Sequence, residues 1–182
     1  MKFEIEIIKT IQSASTPFWD WFFKFISQLG NYFGFAIAFV VIFFLASKKY
    51  AVYFSATYLI SLLTNWVLKA IIARPRPYIA CGEIKNVFPG GGDSMPSGHT
   101  LSATIISCFC LYLIWTKSKK LWVKIISTLL FTIFVGFVIV SRMYLGQHYL
   151  SDTLVAVAIG LIFSTIGILM YRKNEKGGKT YW

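Results

Sequence analysis

Charged side chains are scarce in this sequence. Asp, Glu, Lys and Arg make up 14% of its 182 residues, where a soluble domain carries about 25%. That shortage excludes an ordinary soluble domain. The 57% hydrophobic content and mean hydropathy of +0.65 point to an integral membrane protein, all α-helical, in one compact bundle without room for a second sizeable domain. Acidic groups are the scarcest, 7 against 18 basic ones, for a net charge of +11. In a soluble chain that excess would suggest nucleic acid. Here the basic residues gather at the ends of apolar runs, as topology signals do, so no nucleic-acid partner is expected. Three cysteines make no disulfide framework. Cys108 and Cys110 lie two apart in an apolar run and face different sides of a helix; Cys81 sits in a polar loop without an obvious partner. No Cys/His zinc spacing occurs, and neither does a repeat or a low-complexity segment. Lys2, Glu4, Glu6 and Lys9 interrupt the N-terminus, which therefore lacks the apolar core of a cleaved signal peptide.

What the chain has in quantity is apolar runs. Five read as transmembrane helices: about 31–46, 50–72, 98–116, 121–140 and 153–171. The first is short for a bilayer and starts nearer Leu29 if it spans alone. Ahead of them, Phe3–Ile11 and Phe18–Leu29 are short amphipathic stretches. The second carries Asp20 and Lys24 beside Trp19, Trp21 and several phenylalanines, which suits a helix lying in the membrane interface. With five alternating spans, one face of the bundle holds Lys48, Lys49, Lys117, Lys119, Lys120, Lys124, Arg172, Lys173, Lys176 and Lys179. The opposite face holds Arg74, Arg76, Lys85 and Arg142, the N-terminal segment aside. Ten against four puts the first face in the cytoplasm.

All the polar, motif-like stretches then fall on the other, extracytoplasmic face. The first is Lys69-Ala-Ile-Ile-Ala-Arg-Pro-Arg76-Pro77. A lysine within an apolar helix is either functional or a snorkelling anchor. Anchoring explains Lys69 or Arg74 better than it explains the rigid Arg-Pro-Arg-Pro, where proline stops the helix and fixes how Arg76 projects. The second stretch is Pro96-Ser97-Gly98-His99, opening the third span. Ser97 is suited to cap that helix, and Gly98 lets an anion approach its free N–H groups. Ahead of it, Phe88-Pro-Gly-Gly-Gly-Asp93 reads as a flexible turn or lid. The third stretch runs from Ser141-Arg142 through His148 to Asp152. Four residues apart, His148 and Asp152 share a helix face, so the carboxylate is placed to orient the imidazole. Taken alone, this last pair reads equally well as an interfacial histidine beside a helix-start charge. Together the stretches supply three cations, an N–H cradle, both histidines of the chain and one carboxylate. That set suits a phosphate group and would repel a divalent metal.

In order and spacing these motifs match Lys-x6-Arg-Pro, Pro-Ser-Gly-His and Ser-Arg-x5-His-x3-Asp, and the sequence resembles the type 2 phosphatidic acid phosphatase family from its second span to its fifth. The resemblance implies phosphoryl transfer through a phosphohistidine, with no metal and no cofactor. His148 would be the nucleophile, Asp152 its orienting acid and His99 the general acid. Lys69, Arg76, Ser97, Gly98 and Arg142 would hold the phosphoryl oxygens. Arg74 reads rather as a headgroup anchor, and Ser141 and Gln147 carry no assigned role. The implied layout is an interfacial segment over residues 1–30, a transmembrane phosphatase domain over 31–171 and a basic cytoplasmic tail over 172–182. The expected substrate is a membrane lipid phosphate or pyrophosphate, such as undecaprenyl pyrophosphate, phosphatidylglycerophosphate or phosphatidic acid; chain length, headgroup and oligomeric state stay open. A haloperoxidase-like vanadate site or a silent membrane scaffold are the other readings. The apolar composition speaks against the first, and the intact motifs against the second.

Overall fold

Leucine-, isoleucine- and phenylalanine-rich runs of this length satisfy every backbone group internally only as helices, which is what a lipid solvent demands. The computed structural model, which describes residues 2–88 and 90–177, bears this out. Eight helices follow one another, with no strand among the described residues: α1 (Lys2–Ser13), α2 (Pro17–Leu29), α3 (Tyr32–Leu45), α4 (Lys48–Ile72), α5 (Pro77–Ala80), α6 (Gly98–Lys117), α7 (Leu121–Tyr144) and α8 (Leu150–Gly177).

Helices α4, α6, α7 and α8 are each long and apolar enough to cross a membrane. The 14 residues of α3 rise only about 21 Å against a hydrocarbon core of about 30 Å. A fifth crossing exists only if α2 and α3 are taken together, bent by 49° at Gly30–Asn31. The run expected as the first span, α3, is thus too short to cross alone and reaches spanning length only together with α2. Helix α2 touches α7 through Phe22 on Phe137, Phe23 on Tyr144 and Ser27 on Arg142. Those partners lie within the last two turns of α7, about 11 Å, so α2 rests on the end of α7, with Trp21 and Phe18 exposed. The last helix continues through Gly177, so residues 172–177 extend the final span; the remainder of the expected tail, 178–182, lies outside the described residues.

Helix α6 is the centre of the bundle, packed against α8, α7, α3 and α4. Lipid tails are as apolar as the helix surfaces, so close approach and buried polar groups hold such helices together rather than hydrophobicity alone. Helix α6 buries Thr100, Ser102, Thr104 and Ser107, and Ser102 donates to Tyr58 of α4 at 3.2 Å. The core between α3, α4, α6 and α8 is built on Phe54, Tyr58, Leu101, Ile105, Phe109 and Ala156. Helix α8 nears α6 at Gly160, where an added Cβ would stand 2.8 Å from Cβ of Thr104. That threonine is locked in place by its hydroxyl bond to the Thr100 carbonyl. Gly160→Ala therefore forces α6 and α8 apart, and thermal unfolding in detergent is expected to show a loss of about 1–3 kcal/mol.

The basic residues from Lys48 to Lys173 counted above collect at one end of the bundle, where α4 and α7 start and α6 ends. The motif stretches collect at the other, where α6 and α8 start and α4 and α7 end. Helix α1 packs at this second end. Its Ile8 is fully buried with Ile84, Met143 and Tyr149. Gln12 bonds to the Lys85 backbone at both N–H and carbonyl and to the Tyr144 carbonyl, all within 2.9 Å.

Candidate active site

Four helix ends and two turns bring the motif residues together. Helix α4 stops at Ile72, and Ala73 takes a left-handed conformation (φ 47°) with its N–H on the Lys69 carbonyl. Arg74 precedes a proline and is barred from the helical region. The extended Arg74–Arg76 segment then swings back over the bundle until Pro77 opens α5. At the start of α6, Ser97 caps the helix, accepting from the Thr100 N–H at 3.4 Å and the Thr100 hydroxyl at 3.0 Å. Between α7 and α8 the chain reverses at Gly146 (φ 73°), a left-handed position where a Cβ would also strike the Lys85 carbonyl. The N–H groups of Gln147 and His148 both return to the Arg142 carbonyl. This knot fixes His148 beside Arg142.

The result is a cavity of about 350 Å³ lined by Lys69, Arg76, Gly98, His99, Arg142 and His148, with Asn65, Ser102, Gly90 and Gly91. Tyr32, Leu62 and Trp66 continue the wall outward, with Tyr32 and Trp66 exposed on α3 and α4 and Leu62 partly so. Of the expected set, Ser97 and Asp152 do not line the cavity. Ser97 is fully buried behind Gly98, with its oxygen occupied in capping. Asp152 is fully buried behind His148.

The His148 Nδ1 lies 3.7 Å from Oδ2 of Asp152. That is ion-pair distance and too long for a hydrogen bond, and Nδ1 has no other partner. Oδ2 is instead held by the Ser94 hydroxyl at 2.5 Å and the Tyr149 N–H at 2.8 Å. Burial lowers the His148 pKa from its ordinary value; Asp152 opposes that shift, while Arg142, Lys69 and Arg76 add to it. The imidazole is thus neutral at neutral pH, with a lone pair to offer.

The cations are held by neutral groups. Arg76 donates from Nε to the Gly92 carbonyl at 2.9 Å, from one terminal nitrogen to Gly91 at 2.5 Å, and from the other to the Gln147 side chain. Lys69 donates to the carbonyls of Asp93 at 2.5 Å and Ser94 at 3.3 Å. The glycine-rich turn is therefore the strap that aims both cations, and each keeps N–H groups to spare. Arg142 is almost wholly buried. It donates to Ser27 of α2 at 2.6 Å, and its Nε has no partner. Gln147 joins the strap to the knot, donating to Asn86 and to the Phe88 carbonyl at 2.7 Å each. Ser141 is buried and bonds back to the Val138 carbonyl at 2.7 Å, so it serves its own helix. Arg74 is no headgroup anchor: it pairs with Asp152 at 2.5 Å and Glu4 at 3.1 Å and lies over the Tyr149 ring.

Such an arrangement, a neutral histidine amid buried donors with no counter-anion on the wall, is fit to receive a tetrahedral oxyanion and attack it. A model of the PAP2 superfamily matches residues 50–176. The chain belongs to that family. Among curated relatives it is 30% identical to an undecaprenyl-diphosphatase, BcrC, of Bacillus subtilis, over 71% of this chain and 60% of that one. It is 26% identical to a lipid A 4'-phosphatase of Porphyromonas gingivalis, over 94% of this chain and 73% of the other. An undecaprenyl-diphosphatase of Sulfolobus acidocaldarius is 25% identical over 91% and 77%. Among crystal structures, the first transmembrane PAP2-type phosphatidylglycerolphosphate phosphatase from Bacillus subtilis superposes with a TM-score of 0.82 at 22% identity, covering 98% of this chain and 87% of that one. LpxE of Aquifex aeolicus gives 0.73 at 24%, covering 90% and 93%. These likenesses fix the fold as that of the transmembrane PAP2 proteins.

Sequence reasoning passed over Ser94, Asn65, Ser27 and Glu4. Asn65 alone left a trace, four residues before Lys69 and so on the same face of α4.

Proposed function

We propose that this PAP2 protein is a membrane lipid phosphatase that removes phosphate from a lipid phosphate or pyrophosphate through a phosphohistidine. One observation carries the reading. His148 shares a cavity with Arg142, whose Nε is buried without a partner, and a buried unsatisfied guanidinium donor calls for an anion.

In the first step the ring nitrogen of His148 away from Asp152 attacks phosphorus, and the bond to the leaving oxygen breaks. His99, across the cavity at the start of α6, gives that oxygen its proton. Asp152 supports the cation that forms on His148. Lys69, Arg76, Arg142 and the Gly98 N–H hold the three remaining oxygens, with Ser97 keeping Gly98 and His99 in place. Water, with its proton taken by His99, then displaces the phosphate from His148.

Tyr32, Leu62 and Trp66 support a lipid as substrate, since they extend the cavity wall to the hydrocarbon-facing side of α3 and α4. The names of two relatives favour a polyprenyl pyrophosphate such as undecaprenyl pyrophosphate. Phosphatidylglycerophosphate, phosphatidic acid and lipid A phosphates are the alternatives. The uneven count of basic residues supports a multi-pass protein of the cell membrane with this site on the extracytoplasmic face. Phosphate release from undecaprenyl pyrophosphate by the purified protein in lipid tests the activity. It is expected to persist in excess EDTA and to be inhibited by orthovanadate, which fills the site as a trigonal-bipyramidal mimic of the phosphoryl-transfer transition state. Loss of activity in EDTA with restoration by a divalent cation would overturn this mechanism.

A further inference from the structure

Helix α1 lies outside the family match, which begins at residue 50, yet its Glu4 reaches the group that orients the nucleophile. One oxygen of Glu4 accepts from a terminal nitrogen of Arg74 at 3.1 Å. The other accepts from the Ser151 N–H at 2.8 Å and the Ser151 hydroxyl at 2.7 Å, a free N–H in the first turn of α8. The second terminal nitrogen of Arg74 donates to Oδ1 of Asp152 at 2.5 Å and to Ser151 at 2.7 Å. Tyr149 closes the remaining side, its ring 3.9 Å from the guanidinium carbon. Glu4 itself is little exposed, at 16% of its side chain.

An arginine beside a lone carboxylate settles as a two-pronged fork, taking both oxygens. Here the fork is split: one prong goes to Glu4 and the other to Asp152. We infer that Glu4 is a positioning residue for the reaction: by occupying one prong of Arg74 it leaves Oδ2 of Asp152 to the Ser94 and Tyr149 bonds that turn it toward His148, and so makes the N-terminal helix part of the active site. Without Glu4 the freed prong competes with Ser94 and the Tyr149 N–H for Oδ2, and the Arg74 charge falls wholly on Asp152, the carboxylate that must support the imidazolium forming on His148. Glu4 also supplies a negative charge at the N-terminus of α8, which favours the same arrangement. The inference rests on the proposal that His148 is the nucleophile.

Because Glu4 touches none of the phosphate-holding groups, its removal alters turnover rather than binding. In Glu4→Gln, kcat on a short-chain lipid phosphate is expected to fall about tenfold, the scale of lost supporting contacts, with KM within about twofold. In an Arg74→Gln background the same change is expected to cost less than about twofold further, since two residues acting through one link are not additive. Wild-type kcat in Glu4→Gln, a loss confined to KM, or losses that multiply in the double variant would each overturn the inference. If Glu4→Gln does not fold, as judged by its melting in detergent, Glu4→Asp is read instead. It keeps the charge but falls short of the two partners, and unchanged kcat there overturns the inference as well. His148→Ala, assayed alongside, separates the two proposals. An inactive His148→Ala with a fully active Glu4→Gln removes only the role of Glu4, whereas an active His148→Ala removes the nucleophile.

Discussion

Replacing His148 with alanine is expected to reduce phosphate release by about 10⁴-fold or more, the scale seen when an enzyme loses its nucleophile. It is expected also to abolish trapping of a phosphorylated protein when labelled substrate is quenched in base, where a nitrogen–phosphorus bond survives. The size follows from how little else in the cavity can take over. Among the groups lining it, Lys69, Arg76 and Arg142 are cations, Asn31 and Asn65 are amides, Tyr32 is a phenol on the outer wall and Ser102 is bonded to Tyr58. His99 remains, but it sits at the first turn of α6, across from His148, and among the described residues no carboxylate is within ion-pair distance of its ring. The fold should tolerate the change. Nδ1 of His148 has no hydrogen-bond partner, and the backbone bond from His148 to Arg142 does not depend on the side chain. A folded His148→Ala protein that still forms a base-stable phosphoprotein would move the nucleophile to His99.

The helices and the motif stretches were legible because both signals are local. An apolar run announces a span whatever surrounds it, and Lys69 to Arg76 or His148 to Asp152 are spacings within one stretch of chain. Even the gathering of the stretches at one end followed from alternation of the spans. What was hidden joins residues far apart in the chain with no pattern to link them. Ser27 meets Arg142 across 115 positions, and Glu4 meets Ser151 across 147. Arg74 shows why chemistry alone misled: an arginine between a span and a proline looks like an interfacial anchor, and only the folded chain sets Asp152 and Glu4 on its two prongs. A serine before a helix is a cap by sequence and a phosphate ligand by analogy; the structure shows the cap, with the Ser97 oxygen accepting from Thr100. Asp152 showed the reverse. Its four-residue spacing from His148 gave the right neighbour, but Ser94 and the Tyr149 N–H, not the histidine, hold the oxygen that faces it. The α2–α3 bend was foreshadowed by the short first run, though nothing in the sequence gave its 49°.

Arg142→Met is expected to lower turnover by about 10²–10³-fold, as loss of one well-placed donor to a developing oxyanion does, while raising rather than lowering stability. The two effects share one cause. Arg142 is 3% exposed, among the described residues no carboxylate lies within ion-pair distance of it, and its firm bond is to the neutral Ser27 hydroxyl. A buried charge without a counter-charge costs folding energy, and an apolar residue of similar volume avoids that cost. Lys69 and Arg76 line the same cavity, so mutual repulsion adds to it. Ser27 loses a partner in the variant, but a helical serine can return its hydroxyl to a carbonyl one turn back. A gain of about 1 kcal/mol corresponds to a rise in Tm of about 2–4 °C for a chain of this size, measured by unfolding in detergent. The substrate supplies the missing charge, so orthovanadate should raise the Tm of the wild-type protein and leave that of Arg142→Met nearly unchanged. A variant that is both inactive and less stable would mean that Arg142 is a structural tie between α7 and α2. A more stable, inactive one would mean that the bundle carries this cation, at a cost to itself, for the phosphate it awaits.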